Sequence, residues 1–455
     1  MTDDRSNDHH RSDDNRRSGE QLADLAAALR AGDRDPAAYA EEIRDRIDDR
    51  DDRVRAWVDG AKSRSWAAAE AEAMADRHPD GSRPPLFGVP VGVKDIIHVD
   101  GLATRAGSSL PPSELVGPEA TVVRRLREAG ALVAGKTHTT EFAYFEPAPT
   151  RNPHDTDYTP GGSSSGSAAA VATGTAPLAL GTQTVGSVIR PAAFCGVVGF
   201  KPSYGRVPTD GVIPLSASVD HVGVFTRDVA GAALAMSVIA DDWSGATIGE
   251  GPTVEAGPGG RPTLGVPDGP YLDQATEAGR AAFDDAIAAL EAAGYDLVRA
   301  EPFPEIDAIN DRHNRLVAAE AALAHGDWYA AHADRYADAT ADLIEEGRDA
   351  PVAALVDGRR GRHRLRERLA SEADDLGVDA WVAPAAPGPA PEGIDDTGDP
   401  VMNLPWTHAG LPTVGLPAGD VDGLPVGVQV AAGFDADERL LRWARELASA
   451  VADAA

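Results

Sequence analysis

The sequence predicts an α/β fold, and three observations carry the prediction. Between residues 86 and 136, apolar runs of strand length alternate with an amphipathic helical segment, as in a layered α/β domain. The alternation returns at 263–300, where TLGVPDG, a long amphipathic segment and YDLVRA follow one another. Between these regions, residues 161–201 interleave three segments rich in Gly, Ser and Thr with two apolar ones. Small residues in that pattern let main-chain N–H groups come close to a ligand.

The elements follow in order. Residues 1–17 are polar and charged without an apolar period, the mark of a disordered tail. Ser18 opens a helix that Gly32 ends, and two more helices are expected at 36–50 and 62–77. LFGVPVGVKDIIHVDGLATRAGS (86–108) reads as two strands meeting at a loop around 92–95. Pro118 starts a helix that Gly130 stops, and ALVAGK (131–136) is the next strand. A short helix of small residues is expected at 166–174, with buried strands in TAPLALGTQ and CGVVGFK on either side of a loop at 184–187. The Gly-, Pro- and acid-rich segment 241–262 reads as a connector. A strand at 263–269, a helix at 276–293, the strand YDLVRA and a helical region at 305–375 come next. Strands at 379–387, 411–418 and 425–433 and a helix at 436–453 complete the chain, which carries no internal repeat.

Composition excludes several functions. The chain has 455 residues, with 73 acidic against 42 basic side chains and a formal net charge of −31. Nucleic acid as a direct partner needs a basic face, so it is not expected. Because 42% of residues are apolar, the acidic excess points to a charged surface on a folded core. Such a surface suits molar salt, where the screening length falls to about 3 Å, and the protein is expected to be halophilic. No apolar run reaches transmembrane length and no signal core opens the chain, so a soluble cytoplasmic protein is expected. The single cysteine, Cys195, forms no intramolecular disulfide, and no Cys/His cluster has zinc spacing. Only four lysines remain, Lys62, Lys94, Lys136 and Lys201, and the last three lie in apolar or Gly-rich surroundings.

Gly162-Ser163-Ser164-Ser165-Gly166 fits the G-x-S-x-G nucleophile elbow. That motif must follow a buried strand, whereas RNPHDTDYTPG is a polar loop, so the elbow is rejected. A different pattern uses the whole stretch. It consists of GVPVGVKD (88–95), PGGSSSGS (160–167), LGTQTVGSVIRPAAFCGVVGFKPSYGRV (180–207), GVIPLSASVDHVGVFTRDV (211–229), GLPTVGLPAG (410–419) and GLPVGVQV (423–430). Over these segments the chain resembles the amidase signature family, across most of 20–240 and 379–450.

The resemblance implies one catalytic domain, 18–455, with a large mixed sheet covered by helices on both faces. Residues 241–378 carry little of the likeness and would form a divergent, mostly helical wall of the substrate cleft. It implies Lys94, Ser163 and Ser187 as the catalytic set. Ser187 would be the nucleophile, Ser163, held by a cis peptide, the proton relay, and neutral Lys94 the base. A serine hydroxyl needs such a base, and the apolar neighbours Val91, Val93, Ile96 and Ile97 suit a lysine kept neutral by burial. The rival reading of Lys94 alone is a buried ion pair with Asp95 or another acid.

Thr184, Val185, Gly186 and Ser187 would present backbone amides to the oxyanion. Ser164, Gln183 and Arg190 would support the site. Gln183 stands where many members have Asp, Val185 where many have Gly, Ser165 replaces a usual Gly, and Arg190 falls one place late. Cys195 reads as a small buried hydrophobe, and His98, His138, His154 and His221 as structural. RRGRHRLRER (359–368) reads as a solvated helix face paired with acids. The implied reaction takes a small carboxamide to carboxylate and ammonia without metal or organic cofactor, in a chain acting alone or as a homodimer. Two alternatives are the glutaminase subunit of a tRNA-dependent amidotransferase and a catalytically inactive binding protein.

Overall fold

The computed structural model describes residues 21–58, 66–78, 81–244 and 260–452. The predicted tail at 1–17, most of the 241–262 connector and Lys62 lie outside the described residues. Ten strands form one mixed sheet: β1 (Pro90–Lys94), β2 (Leu132–Thr137), β3 (Leu178–Gln183), β4 (Val198–Lys201), β5 (His221–Thr226), β6 (Leu264–Pro267), β7 (Leu297–Ala300), β8 (Ala380–Pro384), β9 (Thr413–Val421) and β10 (Leu424–Ala432). Across the sheet they run β2-β1-β3-β5-β4-β9-β10-β8-β6-β7. Both flanks are parallel, β1 with β2 and β3, and β6 with β7 and β8. The centre, from β3 to β8, is antiparallel.

Parallel strands are covered on both faces and therefore lose the polar/apolar alternation. PVGVK in β1 and LALGTQ in β3 are buried at every position. Val91, Val93, Leu178, Leu180, Val222 and Val224 join one core across these neighbours.

The helices are α1 (Leu22–Ala31), α2 (Pro36–Val54), α3 (Trp66–Arg77), α4 (Thr121–Glu128), α5 (Ser165–Ala172), α6 (Ile189–Cys195), α7 (Val229–Ile239), α8 (Glu277–Ala292), α9 (Ile306–His332), α10 (Asp338–Asp349), α11 (Val352–Leu376), α12 (Leu404–Ala409) and α13 (Asp437–Ala452). Their ends follow local chemistry. Gly32 closes α1 at φ 86, and the side chains of Asp35 and Thr276 accept the Ala38 and Gly279 amides at the starts of α2 and α8. Among the described residues no helix is long and apolar enough to cross a membrane.

Three differences from expectation have physical causes. The loop expected around 92–95 falls mostly inside β1, which runs on to Lys94, and the second run of 86–108 is not a strand: the chain turns after β1, with the Ile97 amide donating to the Lys94 carbonyl, and only isolated bridges remain at Ile97 and Val99. β5, α6, α7 and α12 were not anticipated; α6 has seven residues and α12 six, too few to show a helical period. The basic run on α11 is not simply a solvated face. Arg362 is 4% exposed, donates to the His408 carbonyl and stacks on Tyr204, while Arg366 donates to the Ala409 carbonyl. Both satisfy carbonyls at the end of α12 that the helix itself leaves open.

The 241–378 region contributes β6 and β7 to the sheet and then α9 to α11. Glu320 on α9, 3% exposed, accepts the Ser216 hydroxyl at 2.7 Å and the Ser218 amide at 2.8 Å, and pairs with Arg359 at 2.7 Å. Glu320→Gln is expected to lower stability by about 1.5–3 kcal/mol, the worth of a hydrogen bond to a charged group. A denaturant midpoint equal to wild type at unchanged slope would refute that anchor.

Candidate active site

Lys94 ends β1 fully buried, and its amine position is set by two hydroxyls. Nζ donates to Ser163 Oγ at 2.7 Å and to Thr182 Oγ1 at 2.8 Å. Among the described residues Lys94 forms no ion pair: Asp95 pairs with Lys136 at 2.8 Å, and Lys136 also donates to Thr104 at 3.0 Å. Lys201 donates to the carbonyls of Pro202 and Leu411. Among the described lysines, then, Lys94 alone meets a serine. Burial holds its pKa well below the usual 10.5, and the negative charge of Asp220 opposes that shift in part.

Ser163, 2% exposed, follows a cis Gly162–Ser163 peptide bond. A Cβ on Gly162 would lie 2.7 Å from the Thr397 methyl carbon, so the close approach of the two segments requires glycine there. The following helix, α5, packs as tightly: a Cβ on Gly166 would sit 2.3 Å from the Ala56 carbonyl oxygen. The Ser164 hydroxyl donates to the Thr182 carbonyl at 3.1 Å and accepts its amide at 3.2 Å, tying this turn to β3. Arg190, 2% exposed, donates through Nη2 to the Gly162 carbonyl at 2.8 Å and to Thr397 at 3.1 Å. Burial brings its pKa down to about 10.

The loop 184–187 joins β3 to α6. Gln183 Oε1 accepts the Val188 and Ile189 amides at 2.8 and 3.0 Å, so these two have a partner. The amides of Thr184, Val185, Gly186 and Ser187 donate to no protein acceptor among the described residues. The Thr184 hydroxyl donates to Asp220 at 2.7 Å; the other Asp220 oxygen accepts the Leu215 and Ser216 amides, both at 2.9 Å. Burial, stronger than these hydrogen bonds, raises the Asp220 pKa to about 6. Ser187 is 8% exposed, and its hydroxyl is bonded to neither Ser163 nor any other side chain among the described residues. A cavity lies beside this loop, lined by Thr182, Thr184, Asp220, Ile96 and Ile213. A second lies beside α8, β8 and β10 and has no titratable group in its lining.

Thr182, Asp220, Thr397 and Thr407 were not singled out in the sequence. Thr182 left a signal, a hydroxyl in the otherwise apolar LALGTQ; the others contact the site from distant segments. Cys195 is buried, its thiol donates to the Pro160 carbonyl and burial pushes its pKa up. His221 hydrogen-bonds the Val219 carbonyl, His154 the Cys195 carbonyl and His98 the Thr104 hydroxyl, each within 3.1 Å.

The site thus holds a buried amine that donates to one serine hydroxyl, and β3, which supplies Thr182 to that amine, leads into four amides without a protein acceptor among the described residues that end at a second serine. Comparison with known proteins defines the class. The Amidase family model matches residues 38–441. The chain is 33% identical to a glutamyl-tRNA(Gln) amidotransferase subunit of Koribacter versatilis, over 91% of this chain and 95% of that one. It is 35% identical to AtzE, a 1-carboxybiuret hydrolase subunit of a Pseudomonas species, over 80% and 85% of the two chains. A solved amidase crystal structure superposes with a TM-score of 0.82 at 32% identity, covering 95% of this chain and all of that one. The chain belongs to the amidase family, and it is an enzyme that hydrolyses carbon–nitrogen bonds.

Proposed function

We propose that the protein hydrolyses a small carboxamide to carboxylate and ammonia, with Ser187 as nucleophile, Ser163 as relay and Lys94 as base. The observation that carries this reading is the 2.7 Å contact of Lys94 Nζ with Ser163 Oγ in a site where Lys94 forms no ion pair among the described residues. Ser187 Oγ attacks the carbonyl carbon as its proton passes to Ser163, while the Ser163 proton passes to neutral Lys94. The tetrahedral oxyanion accepts hydrogen bonds from the 184–187 amides. Its collapse breaks the C–N bond, and the proton returns through the relay to the leaving nitrogen as ammonia. Water, activated by the same relay, releases the acyl group from Ser187. Residues 241–378 wall the cleft in this reading, because Glu320 on α9 holds the 216–218 turn that adjoins Asp220.

The direct test is ammonia release from a panel of aliphatic, aromatic and amino-acid amides at molar salt. No release from any of them, with no fluorophosphonate labelling of Ser187, would favour an inactive binding protein. A second reading, a glutaminase subunit, is supported by the amidotransferase relative. Co-purification with a partner subunit, together with glutamine as the only substrate, would establish it. The cytoplasm is the proposed location, checked by cell fractionation.

The net charge of −31 supports a salt requirement. Activity and melting temperature are expected to rise together from dilute buffer to molar salt, as screening over about 3 Å relieves self-repulsion. Full activity after dialysis into dilute buffer would overturn the halophilic reading.

A further inference from the structure

We propose that Thr407, oriented by Gln183, is a positioning residue that aims the Gly186 amide at the oxyanion. The inference rests on reading 184–187 as the oxyanion loop. Gln183 is 1% exposed and Thr407 fully buried. Gln183 Nε2 donates to Thr407 Oγ1 at 2.9 Å, so that oxygen already serves as an acceptor. The single Thr407 hydroxyl hydrogen then goes to the Val185 carbonyl, 2.6 Å away and nearer than the Asn403 carbonyl at 3.1 Å.

In a trans peptide the C=O and N–H point in opposite directions. Tying the Val185 carbonyl to α12 therefore turns the Gly186 N–H away from α12. The next peptide is tied in the same way, because the Gly186 carbonyl accepts the Arg190 amide at 3.0 Å, which turns the Ser187 N–H away from that contact. Glycine is needed at 186, since a Cβ would lie 2.4 Å from Asn403 Oδ1 on the approach to α12.

The platform behind the clamp is held at both ends. Asn403, just before α12, donates to the Ala385 carbonyl at 2.9 Å and to Gln429 at 3.1 Å. Arg362 and Arg366 hold the carbonyls of His408 and Ala409 at its far end. An amide that costs no reorganisation when charge develops is the one that stabilises a transition state most. Thr407 supplies that rigidity from outside the cleft without touching substrate.

The direction of the clamp depends on the amide of Gln183. A glutamate there keeps an acceptor for the Val188 and Ile189 amides but has no donor. Its second oxygen would draw the Thr407 hydrogen, releasing the Val185 carbonyl with no change in side-chain size. Thr407→Val removes the hydrogen altogether, and Thr407→Ser retains it.

The test measures kcat and KM on the carboxamide turned over fastest, the inhibition constant of phenylboronic acid as a tetrahedral-anion analogue, and the rate of fluorophosphonate labelling. Thr407→Val and Gln183→Glu are each expected to lower kcat by about 10- to 100-fold, below the 10²–10³ for outright loss of an oxyanion donor. KM should stay within about twofold, and the phenylboronic acid constant should rise by the same factor as kcat falls. Thr407→Ser should restore kcat to within about threefold of wild type. A wild-type kcat in Thr407→Val, or a lower kcat with unchanged phenylboronic acid affinity, would overturn the clamp. Gln183→Glu keeps the outcome decisive if Thr407→Val does not fold. Wild-type protein that neither releases ammonia nor labels at Ser187 would overturn the hydrolase reading, and this inference with it.

Discussion

Ser187→Ala is expected to reduce amide turnover by a factor on the order of 10⁶, as removal of the nucleophile does in a serine protease. The substitution removes one oxygen from a side chain that holds no hydrogen bond to another side chain among the described residues, so the fold should be unaffected. Melting temperature within about 2 °C of wild type, with loss of both ammonia release and fluorophosphonate labelling, is the expected outcome. Retained turnover would remove Ser187 from the mechanism and with it the reading of the 184–187 loop.

Lys94→Met is expected to be nearly as severe, on the order of 10⁴–10⁶ in kcat/KM, because the whole proton path ends on that amine. The pH profile gives a sharper check. Only neutral Lys94 accepts a proton, so kcat/KM should rise with pH through the Lys94 pKa and level off above it. Burial sets that limb well below 10.5, while Asp220 acts against burial by favouring the ammonium. Asp220→Asn removes that charge, lowers the Lys94 pKa further and moves the limb to lower pH. A limb that stays put would exclude coupling between the two groups. The linkage has a stability side. The unfolded chain binds the Lys94 proton more tightly, so the cost of burial is complete below the folded pKa. It fades as pH rises from there toward 10.5.

Much of the fold was legible because its signals are local. Strand-length runs in 132–137 and 178–183, and the glycine ends of α1 and α4, each lie within a few residues, whereas the glycine in 90–94 hid β1 behind an expected loop. Lys94, Ser163 and Ser187 could be named because segments 88–95, 160–167 and 180–207 resemble the amidase signature, and the scarcity of lysine only drew attention to Lys94. The partners of these residues were not legible. Thr182 reaches Lys94 across 88 positions, and Thr407 reaches Gln183 across 224. A threonine carries no local mark of such a meeting. The arginines of α11 misled for a related reason: their spacing suggests an exposed face, but the carbonyls they serve belong to α12, some 43 to 46 residues away.

The separation between Gln183 and Thr407 also bears on how the enzyme is made. A ribosome releases β1, the two serines and the loop before α12, β9 and β10 exist, and β9 is the strand that pairs with the edge of β4. The nascent chain thus carries Ser187 and Lys94 for more than two hundred residues before Thr407, which bonds Gln183 and the Val185 carbonyl, arrives. Pairings this remote along the chain form slowly. In the proposed mechanism catalytic competence is therefore a property of the finished polypeptide, and a chain that stops before Thr407 is expected to lack a working hydrolytic centre.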